Sequence, residues 1–354
     1  MFYNLTVKEV KKETPDTVSV SFDIPDNLKE HFRYTQGQYL TFKKNLFGEE
    51  LRRSYSLCSS PVTDNELRVA IKEVEGGRFS GYANSKLSAG DVLESMTPMG
   101  NFFTEVKEGQ KKNYVFFAAG SGITPVISII KTILAVETES TVLLVYGNRD
   151  KNSIIFKDEL SQIKEAHGDR LTMVYALSRE TEVNGAINSR ITPAICPEIN
   201  TRYGTLYQAD EYFLCGPEEM IQSITDHLKS SDVNADKIHF ELFTTPVTAP
   251  ETNEDDASEE ITSEVMVIMD DEEFEFQLSS KGESILDASI EAGVDAPFSC
   301  KGAVCCTCKA KVVEGSARMA MNYALDDYEV QEGYILTCQA HPTSEKLVVD
   351  YDVI

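Results

Sequence analysis

The chain has 354 residues, which is long enough for two or three domains with hydrophobic cores of their own. Its formal net charge of −25 argues against binding to nucleic acid or to an anionic membrane surface and favours a partner with a basic patch, although acidity also serves solubility alone. The first residues lack the apolar run of a secretory signal, and the longest apolar stretch, from Tyr114, contains Gly, Ser, Thr and Pro, so we expect a cytoplasmic protein without a membrane span.

The first part of the chain, residues 1–107, predicts an antiparallel β-barrel. Short alternating runs such as TVSVSFDI, QYLTFKK and ELRVAIKEV are separated by Gly, Pro and Asn. The segment RRSYSLCSSP, residues 52–61, resembles the Arg-x-Tyr-Ser motif of the ferredoxin–NADP reductase family. The resemblance implies an FAD-binding barrel with Arg53 on the pyrophosphate, Tyr55 against the isoalloxazine ring and Ser56 near flavin N5. Ser54 lies inside the same motif and is included among the predicted cofactor-binding residues. The alternative explanation of the motif is an ordinary strand with a buried tyrosine and a serine.

A second segment, GGRFSGYA, follows about twenty residues later and also resembles this family. There it corresponds to a Gly-x-x-Ser turn at a helix start, where backbone N–H groups meet the pyrophosphate. The implied cofactor-binding residues are Gly77, Arg78, Phe79 and Ser80, with Ile71 and Lys72 on the preceding strand lining the ribityl and adenine side. Strand core and solvent exposure are the alternative explanation for the last two.

Residues 108–243 predict a doubly wound α/β domain for a nicotinamide nucleotide, because apolar strands alternate there with helical segments. FFAAGSGITPVISII combines a strand, a Gly-rich turn and a helix. Gly120 and Gly122 let the backbone approach phosphates, and Thr124 and Pro125 begin a helix whose N-terminus favours anions. Pro125 stands where the G-x-G-x-x-G fingerprint has its third glycine, and the segment instead resembles the G-x-G-x-T-P loop of the reductase family.

The type of nucleotide is indicated by YALSRE, in which Ser178 and Arg179 follow a predicted strand. In the reductase family a Ser-Arg pair at this place holds the 2′-phosphate of NADPH. A guanidinium suits bidentate phosphate binding, and Arg149 in YGNRD can assist. We therefore predict that the nucleotide is NADPH. The alternative is that Ser178 and Arg179 are ordinary exposed polar residues of a loop.

Two further segments resemble the family near the end of this domain. In YFLCGPEEM, Gly216 and Pro217 turn the chain at the edge of the sheet where doubly wound folds bind ligands, and the resemblance implies that Cys215 faces the nicotinamide. In IHFELFTTP it implies that Phe243 and Glu241 lie near the flavin. A buried thiol and a plain C-terminal strand are the alternatives. The predicted catalytic residues are Ser56, Cys215, Glu241 and Phe243.

An acidic linker, residues 244–261, separates these domains from the last one, residues 262–354. TTPVTAPETNEDDASEE contains prolines, small polar residues and six acidic side chains without Lys or Arg. Such a segment cannot bury a core, and its like charges extend it. We expect it to let the last domain move between the flavin and an electron acceptor, so shortening residues 246–258 should slow electron delivery.

The last domain carries a cysteine pattern typical of iron–sulfur proteins. Cys300, Cys305 and Cys308 have the spacing C-x4-C-x2-C, and Cys338 follows about thirty residues later, which is the plant-type spacing for a [2Fe–2S] cluster. Two irons need four thiolates, of which a tight loop supplies three. A structural zinc site is the alternative, but it usually has two C-x2-C pairs and the chain has one; a disulfide is disfavoured in the cytoplasm. We predict that Cys306 is not a ligand.

The segment from Cys300 to Pro342, including NYALDDYEVQEGYILTCQ, resembles the ferredoxin domain of reductases that serve multicomponent oxygenases, particularly those of phenylacetyl-CoA epoxidases. The combined resemblance spans the chain except for the linker. It implies an FAD β-barrel, a doubly wound α/β nicotinamide domain and a β-grasp-like ferredoxin domain. It also implies electron transfer from NADPH through FAD and [2Fe–2S] to a di-iron oxygenase that epoxidises phenylacetyl-CoA. The alternatives are a reductase for another oxygenase, a desaturase or a hybrid-cluster protein, and a non-enzymatic iron–sulfur redox sensor.

Overall fold

The computed structural model describes residues 1–180, 185–243 and 260–353. They form two compact units, one over residues 2–243 and one that is described over 260–353. The predicted linker lies outside the described residues except for its last two positions, and the predicted domain boundaries stay predictions. In the described part of the chain, no helix has the length and apolar character that crossing a bilayer requires.

The N-terminal part of the first unit is an antiparallel barrel, as predicted. Its sheet has the strand order β4-β3-β6-β1-β2-β5, and each neighbouring pair is antiparallel. A bridge between Leu57 and Val69 joins the two outer strands and closes the sheet. The elements are β1 (Tyr3–Thr14), β2 (Thr17–Asp23), β3 (Tyr39–Leu46), β4 (Glu49–Ser56), β5 (Leu67–Lys72), α1 (Arg78–Ser85) and β6 (Val92–Ser95).

The barrel core follows from the alternation of residue types along its strands. Val18, Val20 and Phe22 occupy every second position of β2 and are buried in one hydrophobic cluster. Phe22 stacks on Phe42 of β3, with ring centroids 5.2 Å apart. The closed sheet therefore presents the end of β4 and the start of α1 on a rigid support.

The second half of the first unit is a parallel α/β sheet, which confirms the doubly wound prediction. Its strand order is β11-β10-β7-β8-β9, so the chain reverses direction across the sheet between β7 and β10. Ligands bind at such a switch point, outside the carboxyl ends of the strands. The elements are β7 (Asn113–Ala119), α2 (Ile123–Val136), β8 (Thr141–Asn148), α3 (Lys157–His167), β9 (Leu171–Leu177), α4 (Cys196–Tyr203), β10 (Glu211–Cys215), α5 (Glu218–Ser230) and β11 (Ile238–Glu241).

The barrel and the α/β sheet meet through charged side chains that are largely buried. Arg68 of the barrel donates two hydrogen bonds to Glu159 of α3, at 2.7 and 2.8 Å. Lys131 of α2 donates to Glu159 at 2.8 Å and pairs with Asp64 of the barrel. Only 13% of the Arg68 side chain and 11% of that of Lys131 are exposed. These pairs fix the orientation of the two halves of the unit.

The second unit is a mixed sheet with the order β13-β12-β18-β14-β16, in which β12 and β18 are parallel and the other pairs antiparallel. A helix begins after Ser284, whose hydroxyl accepts the Asp287 N–H at 3.2 Å. This topology agrees with the β-grasp-like prediction. The elements are β12 (Thr262–Met269), β13 (Glu272–Ser279), α6 (Ile285–Glu291), β14 (Lys309–Glu314), β15 (Ala317–Met319), α7 (Asp327–Gln331), β16 (Tyr334–Leu336), β17 (Ala340–Pro342) and β18 (Lys346–Asp350).

Candidate functional site

The Arg-x-Tyr-Ser segment occupies the second half of β4. The Tyr55 ring lies between Phe79 of α1 and Phe42 of β3, with ring centroids 5.7 and 6.3 Å away. Burial raises the pKa of the Tyr55 hydroxyl, so it stays protonated at neutral pH. The Arg53 side chain is exposed and donates to the Arg52 carbonyl at 2.7 Å, while Ser54 shares a hydrogen bond with Thr41 at 2.9 Å. The ring of Tyr55 is thus fixed, and the Arg53 guanidinium is accessible to an anion.

Three of the four predicted catalytic residues come together where the barrel meets the nucleotide domain. The Ser56 hydroxyl at the end of β4 donates to Glu241 Oε2 at 3.1 Å, and Glu241 lies beside Cys215 in the register of β10 and β11. Burial raises the pKa of the Glu241 carboxyl to about 8, against the effect of the Ser56 hydrogen bond. Burial, with a contribution from Glu241, also raises the pKa of the Cys215 thiol, which therefore stays protonated at neutral pH.

The fourth predicted catalytic residue, Phe243, lies two positions after Glu241. Its side chain is 41% exposed, so its ring is accessible to a ligand and does not form part of the core. The role in catalysis that the resemblance implies for Phe243 stays a prediction.

The Gly-rich turn after β7 packs backbone against backbone on the turn after β10. A Cβ at Gly122 would lie 2.0 Å from the Cys215 carbonyl oxygen, and a Cβ at Gly216 would lie 2.7 Å from Met220 Cε. Gly120 has a φ of +54°, and its carbonyl accepts the Tyr146 hydroxyl at 3.0 Å. Two closely packed backbone turns therefore adjoin at the switch point of the sheet, which is the place where a doubly wound fold binds a dinucleotide phosphate.

The start of α2 and the start of α5 complete this surface. Thr124 is buried, and its hydroxyl donates to the Ser121 carbonyl at 3.0 Å, which holds the first turn of α2. Pro125 is buried next to it, and Pro217 immediately precedes α5. Both helices thus begin at the edge of the sheet where the predicted nucleotide-binding residues lie.

The predicted pyrophosphate turn before α1 is tightly packed. A Cβ at Gly77 would lie 2.4 Å from Ser80 Oγ and 2.9 Å from the Val74 carbonyl oxygen, so the turn has room only for glycine. The Ser80 hydroxyl accepts the Val74 N–H at 3.1 Å. The Arg78 guanidinium pairs with Glu49 and donates to the Leu46 carbonyl at 2.9 Å. Phe79 is buried against the barrel.

Ile71 and Lys72, predicted to line the ribityl and adenine side, have different surroundings. The Ile71 side chain is fully buried in the barrel core, so only its backbone can reach a cofactor. The Lys72 ammonium faces the nucleotide domain, because a Cβ at Gly120 would lie 3.6 Å from Lys72 Nζ. Lys72 Nζ also lies 3.8 Å from Asp16 Oδ2.

The residues predicted to select the nucleotide are exposed at the ends of β8 and β9. The Ser178 N–H donates to the Asn148 carbonyl at 3.0 Å and the Arg179 N–H to the Arg149 carbonyl at 2.9 Å, so the two arginines are backbone neighbours. The Arg149 side chain pairs with Asp16 of the barrel, at 2.7 Å between Nη2 and Oδ2. No motif in the sequence indicates this acidic partner.

The predicted cluster ligands form two pairs of thiols. Cys305 Sγ donates to Cys300 Sγ at 3.1 Å, and Cys308 and Cys338 are hydrogen-bonded to each other. The hydrogen bond within each pair lowers the pKa of Cys300, to about 6, and that of Cys338. The same hydrogen bonds raise the pKa of Cys305 and that of Cys308. Among the described residues, no three or more His, Cys, Asp or Glu side chains converge on one ion. Two pairs of thiols fit two irons with two thiolates each.

The loop that carries these thiols is curled so that its backbone faces the sulfur atoms. Lys301 and Ala303 have positive φ values of 50° and 63°, and the Gly302 N–H donates to Cys300 Sγ at 3.3 Å. N–H groups directed at sulfur stabilise thiolates. Cys306 is buried and belongs to neither pair, so its exclusion from the ligand set stays a prediction.

Comparison with known protein families agrees with this organisation. Residues 4–104 match the model described as oxidoreductase FAD-binding domain, residues 116–226 match oxidoreductase NAD-binding domain, and residues 267–343 match 2Fe-2S iron-sulfur cluster binding domain.

Individual relatives match over the full chain. The chain is 39% identical to one of the subunits of 1,2-phenylacetyl-CoA epoxidase from Escherichia coli, over 99% of this chain and 98% of the relative. It is 33% identical to the ferredoxin reductase component of 3-ketosteroid-9-alpha-monooxygenase from Rhodococcus rhodochrous, over 98% and 96%. Among solved structures, phthalate dioxygenase reductase has the same fold, with a TM-score of 0.59 and 23% identity over 99% of this chain and 98% of that chain.

Proposed function

We propose that this chain is the NADPH-dependent reductase of a di-iron oxygenase that epoxidises phenylacetyl-CoA. The premise is that the chain belongs to the family of reductase components that join an FAD-binding, an NAD-binding and a 2Fe-2S domain. FAD supplies the conversion of two-electron hydride transfer into one-electron steps, and the [2Fe–2S] cluster supplies a one-electron carrier. The chain's own residues bind these groups, orient them and control protons near them.

The observation that carries this proposal is the meeting of Ser56, Cys215 and Glu241 between the barrel and the nucleotide domain. A flavin held at Tyr55 and a nicotinamide facing Cys215 would both be next to this point. The Ser56 hydroxyl donates its proton to the Glu241 carboxyl, which keeps its own proton up to about pH 8, so the Ser56 oxygen can accept a hydrogen bond from an N–H at flavin N5. The neutral Cys215 thiol occupies the end of β10 without adding charge.

The test of the reductase activity distinguishes electron transfer from the flavin from electron transfer from the [2Fe–2S] cluster. We expect the purified chain with FAD and cluster to reduce both ferricyanide and cytochrome c with NADPH, because ferricyanide accepts electrons directly from flavins. Cys308→Ser should abolish cytochrome c reduction and retain ferricyanide reduction, since it removes one thiolate of a pair. Cys196→Ser, which changes a buried thiol on α4, is the control. Loss of neither activity in Cys308→Ser would contradict the proposal, and a wild-type chain that does not oxidise NADPH would favour the redox sensor.

NADPH is the nucleotide that we propose, because Arg179 and Arg149 are neighbours at the ends of β9 and β8 and both are cationic and accessible. Arg179→Gln should raise KM for NADPH about tenfold and leave KM for NADH within about twofold, since one charge-assisted phosphate contact is lost. Arg202→Gln, an exposed arginine of α4, is the matched control. An equal effect on both nucleotides, or none, would refute the assignment.

The oxygenase partner is proposed from the relative with 39% identity, whose name includes phenylacetyl-CoA epoxidase. The relative from the 3-ketosteroid monooxygenase system supports an oxygenase of another substrate as the second candidate. Mixing the reduced chain with the oxygenase components of each system and measuring the oxygenated product decides between them. The charge of −25 predicts a basic docking patch and slower transfer at high ionic strength. Cytoplasmic localisation stays a prediction.

A further inference from the structure

Asp16 places a fixed carboxylate in the predicted nucleotide site. It lies in the two-residue turn between β1 and β2, and the Thr14 hydroxyl donates to its Oδ1 at 2.8 Å. The Asp16 carbonyl accepts the Glu73 N–H at 2.7 Å, which ties the turn to the barrel. One carboxylate oxygen is thus held by the barrel, and the other, Oδ2, faces the nucleotide domain.

Two cationic side chains lie within 4 Å of Asp16 Oδ2. Arg149 Nη2 lies 2.7 Å and Lys72 Nζ 3.8 Å from Asp16 Oδ2. Arg149 follows β8 and adjoins Arg179, whereas Lys72 is beside the Gly120 turn. Burial alone would raise the pKa of Asp16, but the Thr14 hydrogen bond and the two cations lower it below its usual value, so the carboxylate is charged at neutral pH. The carboxylate therefore engages Arg149, the cation that is predicted to assist in binding the 2′-phosphate.

We propose that Asp16 is a positioning residue that acts through Arg149. Asp16 holds the Arg149 guanidinium in the free protein and competes for it with the 2′-phosphate of NADPH. The inference rests on the NADPH proposal above. Arg149 belongs to the nucleotide domain and Asp16 to the barrel, so binding of the 2′-phosphate exchanges an intramolecular anion for a ligand anion and releases this contact between the two domains. NADH has no 2′-phosphate and leaves the pair intact.

The test measures binding of two probes, adenosine 2′,5′-bisphosphate and ADP, to the intact chain loaded with FAD and cluster. Asp16→Asn keeps the size and the acceptor for Thr14 and removes the charge. We expect it to tighten binding of the bisphosphate about two- to fivefold, the value of a partly exposed ion pair, and to leave that of ADP unchanged. KM for NADPH should fall while kcat stays constant. Asp23→Asn, an exposed residue at the far end of β2, is the control for loss of one negative charge.

The outcomes separate this inference from the NADPH proposal. A wild-type preference for the bisphosphate that Asp16→Asn does not increase overturns the Asp16 inference alone. An equal change for both probes also overturns it, because that result indicates a structural role. A preference that appears only in Asp16→Asn refutes NADPH as the natural nucleotide and, with it, the competition between Asp16 and NADPH. No preference in either protein overturns both.

Discussion

Gly122→Ala tests whether the contact between the two turns of the α/β sheet sets the nucleotide site. The new Cβ would lie 2.0 Å from the Cys215 carbonyl oxygen and 2.5 Å from its carbon, both of them backbone atoms that cannot rotate away. The turns must separate by about 1 Å to reach the shortest contacts that Cβ atoms make. Such overpacking costs about 2–3 kcal/mol, which corresponds to a fall in Tm of about 5–10 °C for a unit of this size. A 1 Å displacement at a reacting centre costs about 100-fold in rate.

The assay for this variant combines thermal unfolding, followed by release of flavin fluorescence, with steady-state reduction of ferricyanide by NADPH. We expect the lower Tm together with a fall in kcat/KM of about 100-fold. Gly81→Ala is the matched control, because its Cβ would meet only Glu73 Oε1 at 4.0 Å and alanine favours the helix by up to about 1 kcal/mol. Unchanged Tm and kcat/KM in Gly122→Ala would refute the reasoning, since the close approach would then have no consequence.

Three further predictions concern the site, the cluster loop and the contact between the two halves of the first unit. The free energy of unfolding should fall as pH rises from 4.5 to about 8, because folded Glu241 keeps a proton that the unfolded chain releases; urea denaturation at both ends of this range should show a smaller difference in Glu241→Gln. Cys306→Ser should retain iron and acid-labile sulfide, whereas Cys305→Ser should lose both, as elemental analysis would show. Glu159→Gln should reduce the free energy of unfolding by about 2–3 kcal/mol, because it removes the ion-pair partner of the largely buried Arg68 and one of the two partners of Lys131, which keeps Asp64. The exposed Glu139→Gln should change the free energy of unfolding by less than about 1 kcal/mol.

The three-part architecture is predictable from the sequence because its signals are local. Alternation of apolar residues within ten positions indicates the strands, and the strand–turn–helix around Gly120 indicates the doubly wound domain. The spacing of the cysteines likewise selects Cys300, Cys305, Cys308 and Cys338 within one short loop and one later position. The pairing of these thiols depends on the fold of the loop, and the spacing alone does not give it.

The contacts that bring distant segments together could not be predicted in this way. Ser56 and Glu241 are separated by 185 positions, and only a family resemblance placed them in one site. Asp16 carries no motif, and its role follows from an ion pair with Arg149 across 133 positions. The buried pair of Arg68 and Glu159 is also invisible in the sequence, because charged residues in an amphipathic pattern indicate an exposed face.

The position of β18 in the second unit has a consequence for biosynthesis. Lys346–Asp350 is the last strand of the unit to be made, yet it lies at the centre of its sheet, between β12 and β14. While the ribosome still holds this segment, the hairpin of β12 and β13 and the strand β14 have no common neighbour. The unit therefore completes its sheet only after Asp350 has emerged from the ribosome, and the thiols of Cys300, Cys305, Cys308 and Cys338 are supported by a finished sheet only from that point on.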